Sequence, residues 1–172
     1  MRNQTMQLGA ILQNMLQDAE EFCVSEALLP TAPRGLDEDI AEAVTFVRGH
    51  LFPRRGGGNV GQTSGFLSAV RTEGDLDCKH FAVVLAGTLL RKGYMVRLAV
   101  QLPANGVGHV MVLVRKEPGA TRYLTEKVDD GSYIFIDADN IEPICEGNRR
   151  LLSWVLLPDL RLLSVPVRWK PP

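Results

Sequence analysis

An apolar segment that begins at Cys78 constrains the fold of this chain more than any other feature. Residues 78–90 are mostly apolar and leave almost no polar face at helical spacing, and a helix that is apolar on all sides is a buried helix. Asp75 and Asp77 precede this segment, and either can cap a helix because a carboxylate accepts the free backbone N–H groups of the first turn. Lys92-Gly93 follows and supplies a cation and a glycine stop. The sequence therefore predicts a central buried helix with a cysteine close to its N-terminus.

Three strand patterns follow this helix. Residues 94–102 alternate strictly between two faces, residues 109–114 form an apolar run that opens with a histidine, and residues 133–137 form one that closes with an aspartate. Short runs of this kind predict β-strands. If the second and third strands pair antiparallel, His109 and Asp137 lie at the same end of the ladder. A last run contains Pro166, which cannot donate to a ladder, and it predicts an edge strand or a terminal strap.

Cys78, His109 and Asp137 are residue types that together can form a nucleophilic site. The partial positive charge at a helix N-terminus favours thiolate over thiol, so the sequence predicts a pKa for Cys78 below the ordinary value of about 8.5. The thiolate attacks a carbonyl carbon, and His109 takes or holds the thiol proton and then protonates the leaving amine. Asp137 accepts from the other imidazole nitrogen and fixes its tautomer. Water as the final acceptor gives hydrolysis, and an amine gives transamidation.

Two parts of this site are open to more than one residue. The backbone N–H of Cys78 is one possible donor to an oxyanion, and Gln62 and Asn59 are candidates for the second donor. Asp139 and Asn140 are alternatives for the third member, which orients the histidine. Spacing along the chain leaves both choices open.

Each of these residues also has an interpretation without catalysis. A lone cysteine is usually a small buried apolar residue, a lone histidine is usually a satisfied core or surface residue, and a carboxylate at a strand end commonly belongs to a turn. A zinc site would use the set Cys78, His80, His109 and Cys145. Its Cys-x-His spacing differs from that of zinc fingers. We expect neither a metal nor another cofactor. Because His80 lies only two residues past Cys78, it faces another side of the helix, and we expect it to bond a backbone group.

The nucleophile segment resembles that of the transglutaminase-like, papain-related superfamily of cysteine peptidases, in its bacterial or phage form. Cys78-Lys79-His80-Phe81-Ala82 and the apolar residues after it match the family's nucleophile helix. His109-Val110-Met111-Val112 matches the family's histidine strand, and Ile134-Phe135-Ile136-Asp137 matches its aspartate strand. The likeness spans residues 40–140. It covers the three residues of the predicted site in the family's order.

The chain departs from the family pattern at three points. Leu76-Asp77 separates Gly74-Asp75 from the cysteine, Met111 replaces an aromatic residue, and Cys-x-His replaces Cys-x-Asp. The resemblance implies an α+β, papain-like fold with N-terminal helices and a central cysteine-bearing helix packed on an antiparallel sheet. It implies a cysteine-dependent amide-bond hydrolase or acyl transferase for a peptide or another amide-containing substrate. The alternative is a noncatalytic binding or structural module that keeps the fold, for example a virion component.

The chain before the nucleophile segment predicts two helices and a loop. Residues 5–29 carry an amphipathic stripe, and we interpret residues 1–35 as an N-terminal helical extension and residues 36–172 as the transglutaminase-like domain. The extension either packs on the domain or contacts a protein partner. Residues 36–51 predict a second helix, whose first-turn acidic trio we interpret as helix-dipole chemistry rather than a metal site.

The loop at residues 53–62 combines a glycine run with two arginines. It could cradle a phosphate, but no Gly-Lys-Ser/Thr follows and no strand precedes it. A loop just before the nucleophile segment is more typical of a cleft lining. Ser64 is a candidate cap for a short helix that runs through Val70.

Composition and charge narrow the class of partner. The chain has 172 residues, of which 45% are hydrophobic and 23% are charged, as in an ordinary globular domain. A net charge of −1 disfavours nucleic acid or an anionic membrane as the main partner. Three cysteines without a CxxC motif predict a reducing compartment. The sequence shows neither a membrane-length apolar run nor a signal-type N-terminus, so we expect a cytoplasmic or particle-associated protein.

Overall fold

The protein is an α+β structure of helices and one antiparallel sheet, described by a computed structural model for residues 2–25, 32–56, 62, 64–72, 74–102, 109–128, 131–150 and 161–167. The helices in these residues are α1 (Arg2–Ser25), α2 (Leu36–His50), α3 (Phe66–Arg71) and α4 (Cys78–Arg91). The strands are β1 (Val96–Leu102), β2 (His109–Arg115), β3 (Thr125–Val128), β4 (Gly131–Asp137), β5 (Glu142–Pro143) and β6 (Arg161–Val167). Short 3-10 turns lie at Phe52–Arg54 and Glu146–Asn148. The predicted α+β class is confirmed.

The strands pair in the order β3-β4-β2-β1-β6, and β5 pairs with the C-terminal end of β4. β2 and β4 are antiparallel neighbours, as predicted, although β3 lies between them in the sequence. β3 does not stand out in the sequence, because the strand is short and its mostly polar residues show no alternation of apolar and polar side chains. Among the described strands, β6 lies at the end of this order and pairs with β1, which confirms the edge-strand prediction for the run that contains Pro166.

The helix that begins at Cys78 is buried on all sides, as its apolar sequence predicts. All of its residues from Lys79 to Leu90 are buried. It contacts α1, α2 and α3 as well as strands β1 and β2. α1 packs on the domain through the buried side chains Leu12, Met15, Ala19 and Phe22, so the first of its two predicted roles is met, and a partner for α1 stays a prediction. Among the described residues, no helix combines the length and apolar character that crossing a membrane requires.

The sheet separates two apolar clusters. Alternate residues of β2 and β4, such as Val112 and Ile136, belong to the main core with α4. The other alternate residues, such as Met111 and Phe135, form a smaller cluster with Ala99. This alternation is the period of a β-strand with both faces covered. The two strands that carry His109 and Asp137 are therefore packed against apolar side chains on both faces of the sheet.

One member of the acidic trio has a role that the sequence analysis did not predict. Asp39 is fully buried and accepts hydrogen bonds from Lys92 Nζ (2.7 Å) and from the Tyr94 hydroxyl (2.6 Å). Burial raises the pKa of Asp39, but the hydrogen bonds from Lys92 and Tyr94 outweigh burial and lower it. Lys92 also contacts Glu42 at 2.7 Å. The predicted helix-end cation is therefore a buried cross-link between α2 and the end of α4.

The start of α3 also differs from the prediction. The residue that caps α3 is Gly65, with φ of 70° and no side-chain cap hydrogen bond, so the prediction of a Ser64 cap is wrong. A positive φ is strained for residues with a Cβ, and glycine accommodates it. The helix N-terminus is instead held from outside, because the backbone N–H of Leu67 donates to Asp18 of α1 at 2.8 Å.

Gly87 sets the approach of α1 to α4, and we expect Gly87→Ala to lower the free energy of unfolding by about 1–3 kcal/mol. A Cβ at this position would lie 2.7 Å from Cδ1 of Phe22 and 2.8 Å from the carbonyl oxygen of Ala19. The clash outweighs the gain of roughly 1 kcal/mol that alanine brings to a helix interior. Gly9→Ala in α1 is the matched control, because a Cβ there meets nothing within 4 Å, and it should stabilise slightly. Urea denaturation of both variants measures the difference, and a stabilised Gly87→Ala variant would contradict this packing.

Candidate active site

The first turn of α4 is fixed by its cap. Asp77 is the N-cap residue, and its Oδ1 accepts from the backbone N–H of Lys79 at 3.0 Å. A capping box completes the turn, with the backbone N–H of His80 donating to the Asp77 carboxylate and the His80 side chain accepting from Asp77. Burial raises the pKa of Asp77, but the interactions of its carboxylate with the side chains of His80 and Lys79 outweigh burial and lower the pKa to about 2. Cys78 is therefore held as the first residue of a well-anchored helix, as predicted.

His80 belongs to this cap. Its ring is fully buried, and Nδ1 lies 3.0 Å from the backbone nitrogen of Asp77 and 2.8 Å from Asp77 Oδ1. The expectation that His80 bonds a backbone group is confirmed. Within the described part of the chain, no group of three or more His, Cys, Asp or Glu side chains is arranged to hold a metal ion.

His109 and Asp137 form the ion pair that the strand pattern predicts. In the register of β2 and β4, Met111 lies opposite Asp137, and His109 is two residues nearer the start of β2. The imidazole Nε2 lies 2.8 Å from Asp137 Oδ1, with the two side chains 26% and 5% exposed. Because a carboxylate only accepts, Nε2 carries the proton and donates, and Nδ1 is the ring nitrogen that can take a proton from a substrate or a thiol.

The two alternative third members support Asp137 instead of replacing it. The backbone N–H of Asp139 donates to Asp137 Oδ1 at 2.8 Å, and Asn140 Nδ2 donates to Asp137 Oδ2 at 2.8 Å. Both oxygens of the carboxylate thus have partners. Burial raises the pKa of Asp137, but the hydrogen bond from His109 and these further bonds lower it. The carboxylate is held ionised beside the histidine.

The pair strengthens His109 as a base. The hydrogen bond to Asp137 is the main reason that the pKa of His109 is raised above its ordinary value of 6.5, and burial opposes this rise. The charges of Asp137 and Asp139 add to it. A raised pKa means that the imidazole binds a proton more tightly than a free histidine does, which suits a general base near neutral pH.

The environment of Cys78 corrects one prediction. Burial is the largest cause that raises the pKa of its thiol to about 11; Asp77 also raises it, Lys79 lowers it, and Asp139 and Asp137 raise it further. The predicted pKa below about 8.5 is therefore wrong, because burial and the three carboxylates raise the pKa of the thiol. Direct contact between Cys78 Sγ and the His109 ring stays a prediction.

Two arginines connect the loop before α3 to both halves of this region. Arg54 donates to four backbone carbonyls, those of Ala69, Val70, Thr72 and Gly74. Arg55 donates to the carbonyl oxygen and to Oδ1 of Asp139, at 2.6 and 2.7 Å. Both guanidinium groups thus donate to oxygen atoms of the protein itself. This disfavours the interpretation in which the two arginines of this loop bind a phosphate. Sequence analysis missed these roles, because Arg55 and Asp139 lie 84 positions apart.

The two oxyanion candidates have different outcomes. Gln62 Nε2 donates to the carbonyl oxygens of Ser64 at 3.0 Å and Gly65 at 3.4 Å, so its amide binds its own loop in this conformation. Asn59 lies outside the described residues. The cap of α4 uses the N–H groups of Lys79 and His80, and the N–H of Cys78 is the first-turn donor that the cap does not use.

Comparisons of this chain with protein-family models, with curated proteins and with solved structures found no match. The function is therefore inferred from the geometry and electrostatics of the site.

Proposed function

We propose that this protein is a cysteine-dependent hydrolase or acyl transferase that acts on amide bonds, with a fold of the transglutaminase-like, papain-related type. Cys78 is the nucleophile, His109 is the base and then the acid, and Asp137 orients the imidazole. The observation that carries the proposal is the 2.8 Å contact between His109 Nε2 and Asp137 Oδ1, in which Asp137 is buried and His109 is partly buried. The substrate is a peptide or another amide-containing molecule.

The mechanism begins from a neutral thiol. Because burial and nearby carboxylates hold the pKa of Cys78 at about 11, the thiol loses its proton to His109 Nδ1 as its sulfur attacks the carbonyl carbon. The proton moves to the imidazole, the C–S bond forms, and the carbonyl oxygen becomes an oxyanion that the Cys78 N–H can stabilise. The imidazolium then protonates the leaving amine as the C–N bond breaks. Water or a second amine attacks the acyl-enzyme and restores the thiol.

Asp137 supports each proton transfer. It raises the pKa of His109, so the imidazole takes the thiol proton more readily than a free histidine would. Since the base must be neutral, activity should rise as the pH rises through the raised pKa of His109. The His109–Asp137 interaction stabilises the folded protein most below pH 6.5, and that contribution is lost as the pH rises through the folded-state pKa.

One observation favours a second candidate function. The pKa of the Cys78 thiol is about 11, and a raised thiol pKa is typical of an unreactive structural cysteine. A noncatalytic binding or assembly module with the same fold, for example in a virion, would keep the buried α4 and use α1 as its contact to a protein partner. The two functions differ in whether His109 changes the reactivity of Cys78.

The reactivity of Cys78 tests the proposal, and we expect His109→Gln to lower its alkylation rate at pH 8 by about tenfold or more. Glutamine keeps a side-chain amide that can donate to Asp137, but it cannot accept the thiol proton. Iodoacetamide labelling between pH 5 and 10, resolved by peptide mass spectrometry, gives the rate for each cysteine. In the wild type, the Cys78 rate should contain a component that rises with pH through the pKa of His109 and disappears in the variant.

Cys23 and Cys145 are internal controls in every sample, and His50→Gln is the matched control for a histidine outside the site. His50 is exposed and bonds the carbonyl of Phe46 in α2, so its replacement should leave the Cys78 profile unchanged. Equal profiles for Cys78 in wild type and His109→Gln would overturn the catalytic proposal and favour the module.

A further inference from the structure

Arg55 lies in a segment that is joined to the residues just before the nucleophile helix. It forms a parallel β-bridge with Leu76. On either side of the bridge, the N–H of Leu76 donates to the Arg54 carbonyl at 2.9 Å, and the N–H of Gly56 donates to the Leu76 carbonyl at 3.1 Å. Leu76 is fully buried and is adjacent to the N-cap of α4. The backbone of Arg55 is therefore fixed relative to the start of that helix.

The side chain of Arg55 reaches the other half of the site. Its guanidinium makes two hydrogen bonds to Asp139, to the carbonyl oxygen at 2.6 Å and to Oδ1 at 2.7 Å. Asp139 in turn donates its backbone N–H to Asp137 Oδ1, the same oxygen that His109 contacts. A continuous chain of bonded groups thus runs from Arg55 through Asp139 and Asp137 to His109.

We propose that Arg55 and Asp139 are positioning residues. Their ion pair holds the start of the Cys78 helix at a fixed distance from the His109–Asp137 pair, and the cation of Arg55 cancels the charge of Asp139 beside the thiol. The inference rests on the proposed function, whose site it completes. A guanidinium that bonds two acceptors fixes orientation as well as distance. The Arg55 and Asp139 side chains are 38% and 37% exposed, and an exposed ion pair adds little to folding stability. Its main effect is therefore expected at the site itself.

The charged groups around the thiol explain why this pair matters. The N-cap and first turn of α4 supply Asp77 and Lys79, and the end of β4 and the following turn supply Asp137 and Asp139. His109 stands at the start of β2 as the partner of Asp137. Asp139 raises the pKa of Cys78, and the cation of Arg55 is bound to that carboxylate. Without the cation, Asp139 opposes ionisation of the thiol more strongly.

Charge-changing variants of the pair test the inference through the pH profile of Cys78 alkylation. Arg55→Gln should move the Cys78 titration to higher pH and slow alkylation at pH 8 by about threefold to tenfold, because the charge of Asp139 is no longer compensated. Asp139→Asn should move it to lower pH and speed alkylation by a similar factor. Arg55→Lys keeps the charge and loses the two-point contact, so the pH midpoint of its titration should stay close to that of wild type, while the His109-dependent part of the Cys78 alkylation rate should fall because the distance between the two residues is no longer fixed. A purely structural role would make both single replacements shift the profile in the same direction.

Arg149→Gln is the matched control, since Arg149 forms an exposed ion pair with Glu146 that lies outside this network. It should leave the Cys78 profile unchanged. Thermal unfolding shows whether each variant is folded, and if Arg55→Gln does not fold, Arg55→Lys and the nearly isosteric Asp139→Asn still give the sign of the charge effect.

The outcomes separate this inference from the proposed function. Opposite shifts for Arg55→Gln and Asp139→Asn support the inference, and shifts of the same sign, or none, overturn it. If His109→Gln changes the profile while Arg55→Gln does not, the function holds and the positioning pair fails. If Arg55→Gln shifts the profile while His109→Gln does not, the charge coupling is real but the catalytic role is lost, and the positioning role is overturned with it.

Discussion

Replacing Lys92 with methionine should lower the free energy of unfolding by about 3–5 kcal/mol, because it leaves a buried carboxylate without its cation. The Lys92 side chain is 1% exposed and Asp39 is 0% exposed, with Nζ and Oδ1 2.7 Å apart. Methionine keeps most of the length of the side chain and removes the charge. Urea denaturation followed by circular dichroism measures the loss. Lys116→Met, at an exposed position, should change stability by less than about 0.5 kcal/mol.

The pH dependence identifies the cause of this loss. In the wild type the pKa of Asp39 is lowered, so its contribution is present above the unfolded value and is lost as the pH falls through the folded value. In Lys92→Met, burial acts without the cation and raises the pKa of Asp39, so the carboxyl group is protonated at a higher pH. The stability difference between the two proteins should therefore narrow from pH 7 to pH 4. A difference that is constant with pH would assign the loss to packing of the Lys92 side chain.

The second large effect is expected at the centre of α4, where Leu85→Ala should lower the free energy of unfolding by about 2–5 kcal/mol. Leu85 is among the largest fully buried side chains, and its removal leaves a cavity between α4 and its neighbours. Val24→Ala is the control, since Val24 is 59% exposed and its truncation should cost little. A loss below about 1 kcal/mol for Leu85→Ala would show that the surrounding elements close the cavity.

The local chemistry of the site could be predicted from the sequence. An apolar run that leaves no polar face predicts a buried helix, and the sequence predicts a carboxylate cap from Asp75 or Asp77, of which the structure uses Asp77; both are properties of a few consecutive residues. The same holds for the strands that open at His109 and close at Asp137. Their antiparallel pairing brings the two side chains together, because residues at the same end of a ladder are neighbours whatever lies between them in the chain.

Charge and burial at the site could not be predicted in this way. The helix N-terminus predicts a lowered pKa for Cys78, but the tertiary structure partly buries this residue. Desolvation first, and then Asp77, Asp139 and Asp137, raise the pKa of the thiol to about 11. The pKa of a group depends on the sum of desolvation and nearby charges in space. Carboxylates that lie about 60 positions away along the chain cannot be placed around a thiol from local patterns.

By itself, the sequence determined the α+β class, the buried α4 with Cys78 close to its N-terminus, and the His109–Asp137 pair, because each follows from short-range periodicity, capping and strand pairing. Only the tertiary structure decided that Asp39 and Lys92 form a buried cross-link, that Gly87 lets α1 approach α4, and that Arg55 reaches Asp139. These contacts join residues that are far apart in the chain, and their energies depend on burial and distance, which exist only once the helices and the sheet have packed.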